Sequence, residues 1–172
     1  MNKSFLELTT EFLLKISPIV TSVILIFLDS IPKHFGISSF TSFFGFCVLY
    51  IWVIIDHERI RPFFILLLSV LIDILSNLIF GLTSVFMFVI FLIQRKNSEF
   101  LFSESILKIW IRFMFFFVFY FIFVVLIHKI VFKIVYFDFL NIVFSIALTG
   151  LMFPLLFWAI NLLNNELKFR DE

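Results

Sequence analysis

Residues 59–84 read RIRPFFILLLSVLIDILSNLIFGLTS, and this stretch decides the fold. Asp73 is the only charged residue between Arg61 and Arg95. If the segment crosses a bilayer, the Asp73 carboxyl lies deep in the hydrocarbon. An isolated acid is costly there and usually marks a functional or packing site.

A polar stripe continues on both sides of Asp73. Its members recur at the spacing of one helix face, so we expect that face to point at protein and not at lipid. We also expect burial to keep the Asp73 carboxyl protonated, so that it donates a hydrogen bond. The stripe consists of Ser69, Asp73, Ser76, Asn77, Gly81 and Ser84.

The composition places the chain among membrane proteins. It has 172 residues, of which 63% are hydrophobic, and its mean hydropathy is +1.19, outside the range of soluble domains. The length suits one polytopic membrane domain over residues 1–172. The formal charge of +1 gives no basic excess that would indicate nucleic acid as a partner.

The apolar run at residues 62–93 is too long for one span. As a single helix it would measure roughly 48 Å, against a hydrocarbon core of roughly 30 Å. Basic pairs precede and follow the run, and the positive-inside tendency requires an even number of crossings between them. We therefore predict two short helices that form a hairpin, with the break at residues 77–83. The basic residues are Arg59, Arg61, Arg95 and Lys96.

The remaining apolar segments complete an all-α integral membrane protein with six transmembrane helices and both termini in the cytoplasm. Of the 13 Lys and Arg residues, only Lys33, Lys129 and Lys133 then face outward. A short interfacial helix is predicted within residues 97–109, and a polar tail at residues 164–172. Besides the hairpin, the predicted spans cover residues 12–28, 40–55, 109–127 and 139–163.

Two interpretations of Asp73 stay open. It is an intramembrane contact or binding residue, or an acid that caps the broken helix or meets a buried partner. An intramembrane aspartyl protease needs two carboxylates that share a proton, whereas Asp73 and Asp138 are predicted at different depths. Other catalytic motifs are missing from the sequence. We therefore expect a protein that is not an enzyme and uses no cofactor.

The acidic cluster after the second span is the one place with clustered metal-ligand residue types. Asp56, His57 and Glu58 are adjacent on a short loop, where side chains rarely converge on one ion. We interpret them as a solvated turn, so no metal site is predicted.

The order of these features resembles the rod shape-determining protein MreD family of bacteria. Members are small hydrophobic proteins with an Asp near the middle of the third span, a Ser three residues later and a Gly eight residues later. The last span of the family also carries a Gly and a Pro and is followed by a polar tail. The matching residues here are Asp73, Ser76, Asn77 and Gly81, the segment of residues 49–52, and Gly150 with Pro154.

The resemblance implies a non-enzymatic scaffold subunit of the elongation machinery in the inner membrane. The implied partner is an MreC-like single-span protein. Indirect partners are an MreB-like filament and a SEDS glycosyltransferase with its class B penicillin-binding protein, which support lateral peptidoglycan synthesis. The implied six-helix fold is similar to the substrate-binding S-components of energy-coupling-factor transporters.

That fold leaves one alternative function, a vitamin-binding S-component. Such subunits present small residues on the first helix to dock a coupling protein. Here the first span offers only Ser17, Thr21 and Ser22 as small residues. The scaffold is therefore the preferred interpretation.

Overall fold

The computed structural model of the chain describes residues 5–34, 43–55, 60–76, 78–96, 105–132 and 139–169. Within these ranges the regular elements are α-helices, so the predicted all-α class is confirmed. The helices are α1 (Phe5–His34), α2 (Phe44–Ile55), α3 (Pro62–Leu75), α4 (Leu82–Lys96), α5 (Ile106–Phe132) and α6 (Phe139–Phe169).

Helix α2 lies at the centre of the bundle and packs against α1, α3, α4 and α6. Its side chains from Phe46 to Val53 are completely inaccessible to solvent. A helix that is apolar on every side is stable only when it is surrounded by protein or lipid. The sequence of α2, FGFCVLYIWVII, has this character, which explains its central position.

A glycine allows three helices to meet closely beside α2. A Cβ atom on Gly45 would lie 3.0 Å from Ile26 Cγ1 of α1 and 3.1 Å from Ile72 Cδ1 of α3. Small residues at helix contacts let backbones approach each other in membrane proteins. Gly45 thus fixes α1 and α3 against the central helix.

Helix α5 joins the core through aromatic contacts. Tyr120 stacks on Phe46 with ring centroids 4.6 Å apart and an interplanar angle of 18°, and Phe113 stacks on Phe153 of α6 at 4.1 Å. Such ring pairs contribute beyond the apolar area they bury. The many Phe residues of the chain therefore form much of the contact between α2, α5 and α6.

The predicted short hairpin is confirmed, and the predicted lengths of the other helices are corrected. Helices α3 and α4 have 14 and 15 residues, and Pro62 is the first residue of α3. Helices α1, α5 and α6 extend beyond the predicted apolar spans at both ends or at one end. Helical hydrogen bonding continues where hydropathy falls, so the predicted polar tail is helical as far as Phe169.

Among the described residues, two segments are long and apolar enough to cross a membrane, Ile106–Val131 and Val143–Asn165. Shorter apolar segments lie in the four other helices. Large apolar side chains are exposed on every helix except α2, for example Phe115 at 70% and Ile130 at 75%. Soluble monomers rarely expose large contiguous apolar patches. This surface is typical of a protein that faces lipid.

Candidate functional site

The connection between α3 and α4 is a compact turn with its own hydrogen bonds. Helix α3 ends when the N–H of Ser76 donates to the Ile72 carbonyl at 2.9 Å and that of Leu78 donates to the Asp73 carbonyl at 2.9 Å. Gly81 then has φ +87°, which favours glycine because a Cβ atom is strained there. The break thus falls where the length of the apolar run predicted it.

Asp73 caps the start of α4 from the neighbouring helix. Its Oδ2 accepts a hydrogen bond from the N–H of Gly81 at 2.9 Å. The N–H of Thr83 lies 3.2 Å from Oδ1 and 3.3 Å from Oδ2. The first N–H groups of a helix have no partner within the helix, and a side-chain oxygen commonly supplies one. Asp73 does this from the preceding helix, across the turn.

The cap is completely buried, since Asp73 has no accessible surface. Unpaired backbone N–H groups are especially costly where water cannot reach them. A carboxyl group at a helix N-terminus is also favoured by the helix dipole. Of the two interpretations of Asp73 drawn from the sequence, the geometry shows capping. Both oxygens accept hydrogen bonds, and a proton on the carboxyl stays a prediction.

A hydroxyl pair connects this cap to α5. Thr83 Oγ1 and the Tyr120 hydroxyl are 2.7 Å apart and share a hydrogen bond. Both residues are completely buried. The chain of contacts from Asp73 through Thr83 to Tyr120 therefore joins α3, α4 and α5.

The other residues of the predicted stripe also face their own chain. Ser69 is completely buried, and its hydroxyl donates to the Ile65 carbonyl at 2.7 Å. The Ser84 hydroxyl donates to the Leu66 carbonyl at 3.3 Å, which ties α4 to α3. Asn77 lies outside the described residues. These contacts keep the described stripe residues within the chain, and the Ser84 bond packs α4 against α3.

A second polar contact is made at Gly150, four residues before Pro154 in α6. Pro154 lacks an N–H group, so the Gly150 carbonyl has no partner from the residue four positions later. Instead, Trp110 Nε1 of α5 donates to that carbonyl at 2.8 Å. A Cβ atom on Gly150 would lie 2.8 Å from Met114 Sδ. The close approach at Gly150 is thus to α5 of the same chain.

Two of the predicted basic residues lie at the same end of the hairpin. Arg61 immediately precedes α3 and Arg95 is near the end of α4, and both are exposed. Antiparallel helices joined by a tight turn bring these two ends together. Arg59 lies outside the described residues, as does the side chain of Lys96. The Asp56, His57 and Glu58 turn and most of the predicted interfacial helix lie outside them too.

A third polar network was missed by the sequence analysis. Gln94 Nε2 donates to the Tyr50 hydroxyl at 3.3 Å, and Gln94 Oε1 accepts from Arg112 at 3.5 Å. Gln94 and Tyr50 are buried, and Arg112 is half-buried. The network joins α2, α4 and α5. The polar Gln94, which directly follows the apolar residues 85–93 of α4, was the available signal.

The described residues contain no group of three His, Cys, Asp or Glu side chains that could hold a metal ion. Cys47 is a buried free thiol, and its Sγ lies 3.9 Å from the Thr149 carbonyl oxygen. The contact is that of a small packing residue with a weak S–H donor.

No family model matches the chain, and neither a curated protein nor a solved structure matches it. Its function is therefore inferred from its residues and their geometry.

Proposed function

We propose that the chain is a non-enzymatic membrane scaffold subunit of the bacterial elongation machinery, similar to the MreD family. It crosses the inner membrane six times, with both termini in the cytoplasm, and docks an MreC-like single-span protein. Through that partner it acts with an MreB-like filament and with a SEDS glycosyltransferase and class B penicillin-binding protein in lateral peptidoglycan synthesis.

The observation that carries this proposal is the hydrogen bond between the Asp73 carboxyl and the N–H of Gly81. These residues are eight positions apart, and that spacing is central to the resemblance to the MreD family. The contact gives the spacing a physical reason, because the acid must reach the N–H of the glycine that turns the chain. A spacing that has a structural role in this chain supports the resemblance more than residue identities alone do.

The surface supports the membrane part of the proposal. Exposed apolar side chains on five helices suit contact with lipid, and two segments have the length and hydropathy of spans. Arg61 and Arg95 lie at one end of the hairpin, where positively charged residues favour the cytoplasmic side. Six crossings follow if α1, α2, α3 and α4 also traverse the bilayer.

The role of Asp73 in such a scaffold is indirect. Its oxygens are engaged by backbone N–H groups, so we assign it no catalytic role. It holds the hairpin in shape, and exposed side chains such as Phe63 and Phe88 on the outside of α3 and α4 are then presented at fixed positions to a partner helix.

A pull-down from native membranes in mild detergent tests the proposal. We expect the tagged protein to recover an MreC-like single-span protein and a cell-wall synthase, as identified by mass spectrometry. Recovery of a transmembrane coupling protein with paired ATPases would contradict it and indicate a vitamin-binding S-component.

The matched variants are Asp73→Leu and Gly81→Leu, with Val85→Leu as the control because Val85 is 65% exposed. We expect both hairpin variants to recover several-fold less partner than the control at equal amounts of folded protein. Unchanged co-purification of both variants would show that the hairpin does not shape the docking surface.

A further inference from the structure

Helix α6 has a weak point between Gly150 and Pro154. Pro154 lies inside the helix and cannot donate the hydrogen bond that the Gly150 carbonyl would otherwise accept. Sharp bends of helices occur most often at proline. Gly150 also leaves the same turn without one of its side chains. The resistance of α6 to bending is therefore lowest at residues 150–154.

The part of α6 before Pro154 is fixed by contacts with two other helices. Thr149 is completely buried, and its carbonyl oxygen lies 3.9 Å from Cys47 Sγ of α2. The ring of Phe153 stacks on Phe113 of α5 at 4.1 Å and lies 6.0 Å from the ring of Tyr50 of α2. This part of α6 therefore belongs to the core of the bundle.

The part of α6 after Pro154 has the length of a lever. It continues to Phe169, a distance of about 22 Å. Its inner face is buried at Phe157 and Ile160, whereas Leu155 is 61% exposed. A change of about 20° in the bend, the size of a clear helix kink, would move the end of α6 by about 8 Å.

A side chain from α5 determines the bend at this point. Trp110 Nε1 donates to the Gly150 carbonyl at 2.8 Å. Without that bond the carbonyl would be unpaired in an apolar environment, which is costly, and a change in the bend that brings it another donor would lower the cost. Met114 lies opposite Gly150, and because a methionine side chain adapts its shape readily, the contact can follow such a change.

We propose that α6 is a hinged helix. Its C-terminal part, residues 155–169, pivots at residues 150–154, and the Trp110 indole holds the pivot in its present position. The pivoted state is a minor population of the wild-type chain, below about a tenth. This hinge goes beyond the proposed scaffold function and does not depend on the identity of any protein partner.

The test measures the distance between two spin labels on the purified full chain by double electron–electron resonance. The labels replace Val85 of α4 and Leu163 of α6, which are 65% and 47% exposed, in a Cys47→Ala background. Trp110→Phe keeps an aromatic ring but removes the donor. We expect the pivoted population to rise about fivefold, the effect of one ordinary hydrogen bond, with the label at position 163 displaced by about 5 Å.

Pro154→Ala tests the same hinge from the opposite direction, because it restores an N–H group within α6 for the Gly150 carbonyl. We expect this variant to remove the pivoted population, and to reverse the effect of Trp110→Phe when the two are combined. It adds a hydrogen bond and removes none, so it decides the question even if Trp110→Phe does not fold. A distance distribution that Pro154→Ala leaves unchanged, alone and in the combination, would overturn the proposal.

Two controls distinguish a hinge from a general loosening of the bundle. Labels at Val85 and Val143, which is 48% exposed, report on the part of α6 before the hinge. Tyr120→Phe removes a different hydrogen bond of α5. We expect Trp110→Phe to leave the control pair unchanged, and Tyr120→Phe to leave the hinge pair unchanged. Equal broadening of both label pairs in Trp110→Phe, or the same response of the hinge pair to Tyr120→Phe, would contradict a hinge at Pro154.

Discussion

The turn between α3 and α4 and the Pro154 region of α6 both contain backbone groups that lack a helical hydrogen-bond partner. The turn lacks acceptors, and the Pro154 region lacks a donor. In the turn, the N–H groups at the start of α4 lack helical acceptors, and the Asp73 carboxyl supplies them. At Pro154 a carbonyl lacks its helical donor, and the Trp110 indole supplies it. Backbone groups in an apolar environment must form their hydrogen bonds within the protein. In both regions a side chain forms the hydrogen bond that the helix cannot.

The Asp73 cap and the Trp110 hydrogen bond differ in how much of the fold must be in place before they can form. Asp73 is eight residues from Gly81 and ten from Thr83, so the cap can form within an isolated hairpin. Trp110 is 40 residues from Gly150 and reaches it only when α5 and α6 are packed in register. The cap is therefore part of the local structure, whereas the indole contact reports on tertiary packing.

Asp73→Leu should produce the largest loss of stability. Leucine preserves approximate volume but leaves the N–H groups of Gly81 and Thr83 without acceptors. A buried donor left unsatisfied costs about 1–3 kcal/mol, so we expect a loss of about 2–5 kcal/mol in the free energy of unfolding. The measurement is an SDS titration of purified protein in mixed micelles.

Asp73→Asn is the control for this change, because its carbonyl oxygen can still accept from one of the two N–H groups. We expect it to lose about half as much. If Leu and Asn at position 73 destabilise equally, the charge of the carboxylate and not its acceptor capacity is what the hairpin needs.

Trp110→Phe tests the long-range contact and should have the second-largest effect. The ring volume is largely kept, but the Gly150 carbonyl loses its donor, at a cost of about 1–2 kcal/mol. Pro154→Ala restores a helical N–H to that carbonyl, so it should reduce the effect of Trp110→Phe when the two are combined. A double-mutant cycle measures this coupling, and a coupling energy near zero would show that the indole bond does not compensate for the proline.

The hairpin could be predicted because its constraints are local. The apolar run is too long for one span, and its flanking basic residues require an even number of crossings. Asp73 also lies on one helix face with small and polar residues. The N–H groups that donate to Asp73 could not be predicted, since they depend on where the turn places Gly81 and Thr83. For the same reason the sequence left open whether Asp73 caps the broken helix or contacts a partner, and the structure shows the cap.

The contacts of Trp110 and Tyr120 depend on helix register, which the sequence does not specify. A usable signal did exist. In a chain with 30 Phe and only three Tyr and three Trp, a polar aromatic residue is an uncommon choice. Tyr50, Tyr120, Trp52 and Trp110 each use the polar atom in a hydrogen bond between helices. The central position of α2, by contrast, could have been predicted from its uniform hydrophobicity but was not.

Gly81→Ala separates the shape of the turn from its cap. The added Cβ would meet nothing within 4 Å, so the cost arises only from the positive φ and should be about 1 kcal/mol. Gly81→Asn should cost less, since asparagine tolerates this conformation better. The same SDS titration ranks the two variants. If Asn proves more harmful than Ala, side-chain size and not backbone strain limits this position.

Tyr120→Phe should have the smallest effect and tests whether the two regions are independent. The variant keeps the ring stacked on Phe46 and removes only the hydroxyl bond to Thr83, which for contacts between membrane helices averages about 0.6 kcal/mol.

Tyr120 and Trp110 lie on the same helix about 15 Å apart, so α5 touches both the capped hairpin and the Pro154 region. Effects of sites this far apart usually add to within about 0.5 kcal/mol. We therefore expect Tyr120→Phe and Trp110→Phe to be additive in the free energy of unfolding. A larger coupling would mean that α5 transmits strain between the two regions, and a change at the hairpin would then be felt where α5 meets α6.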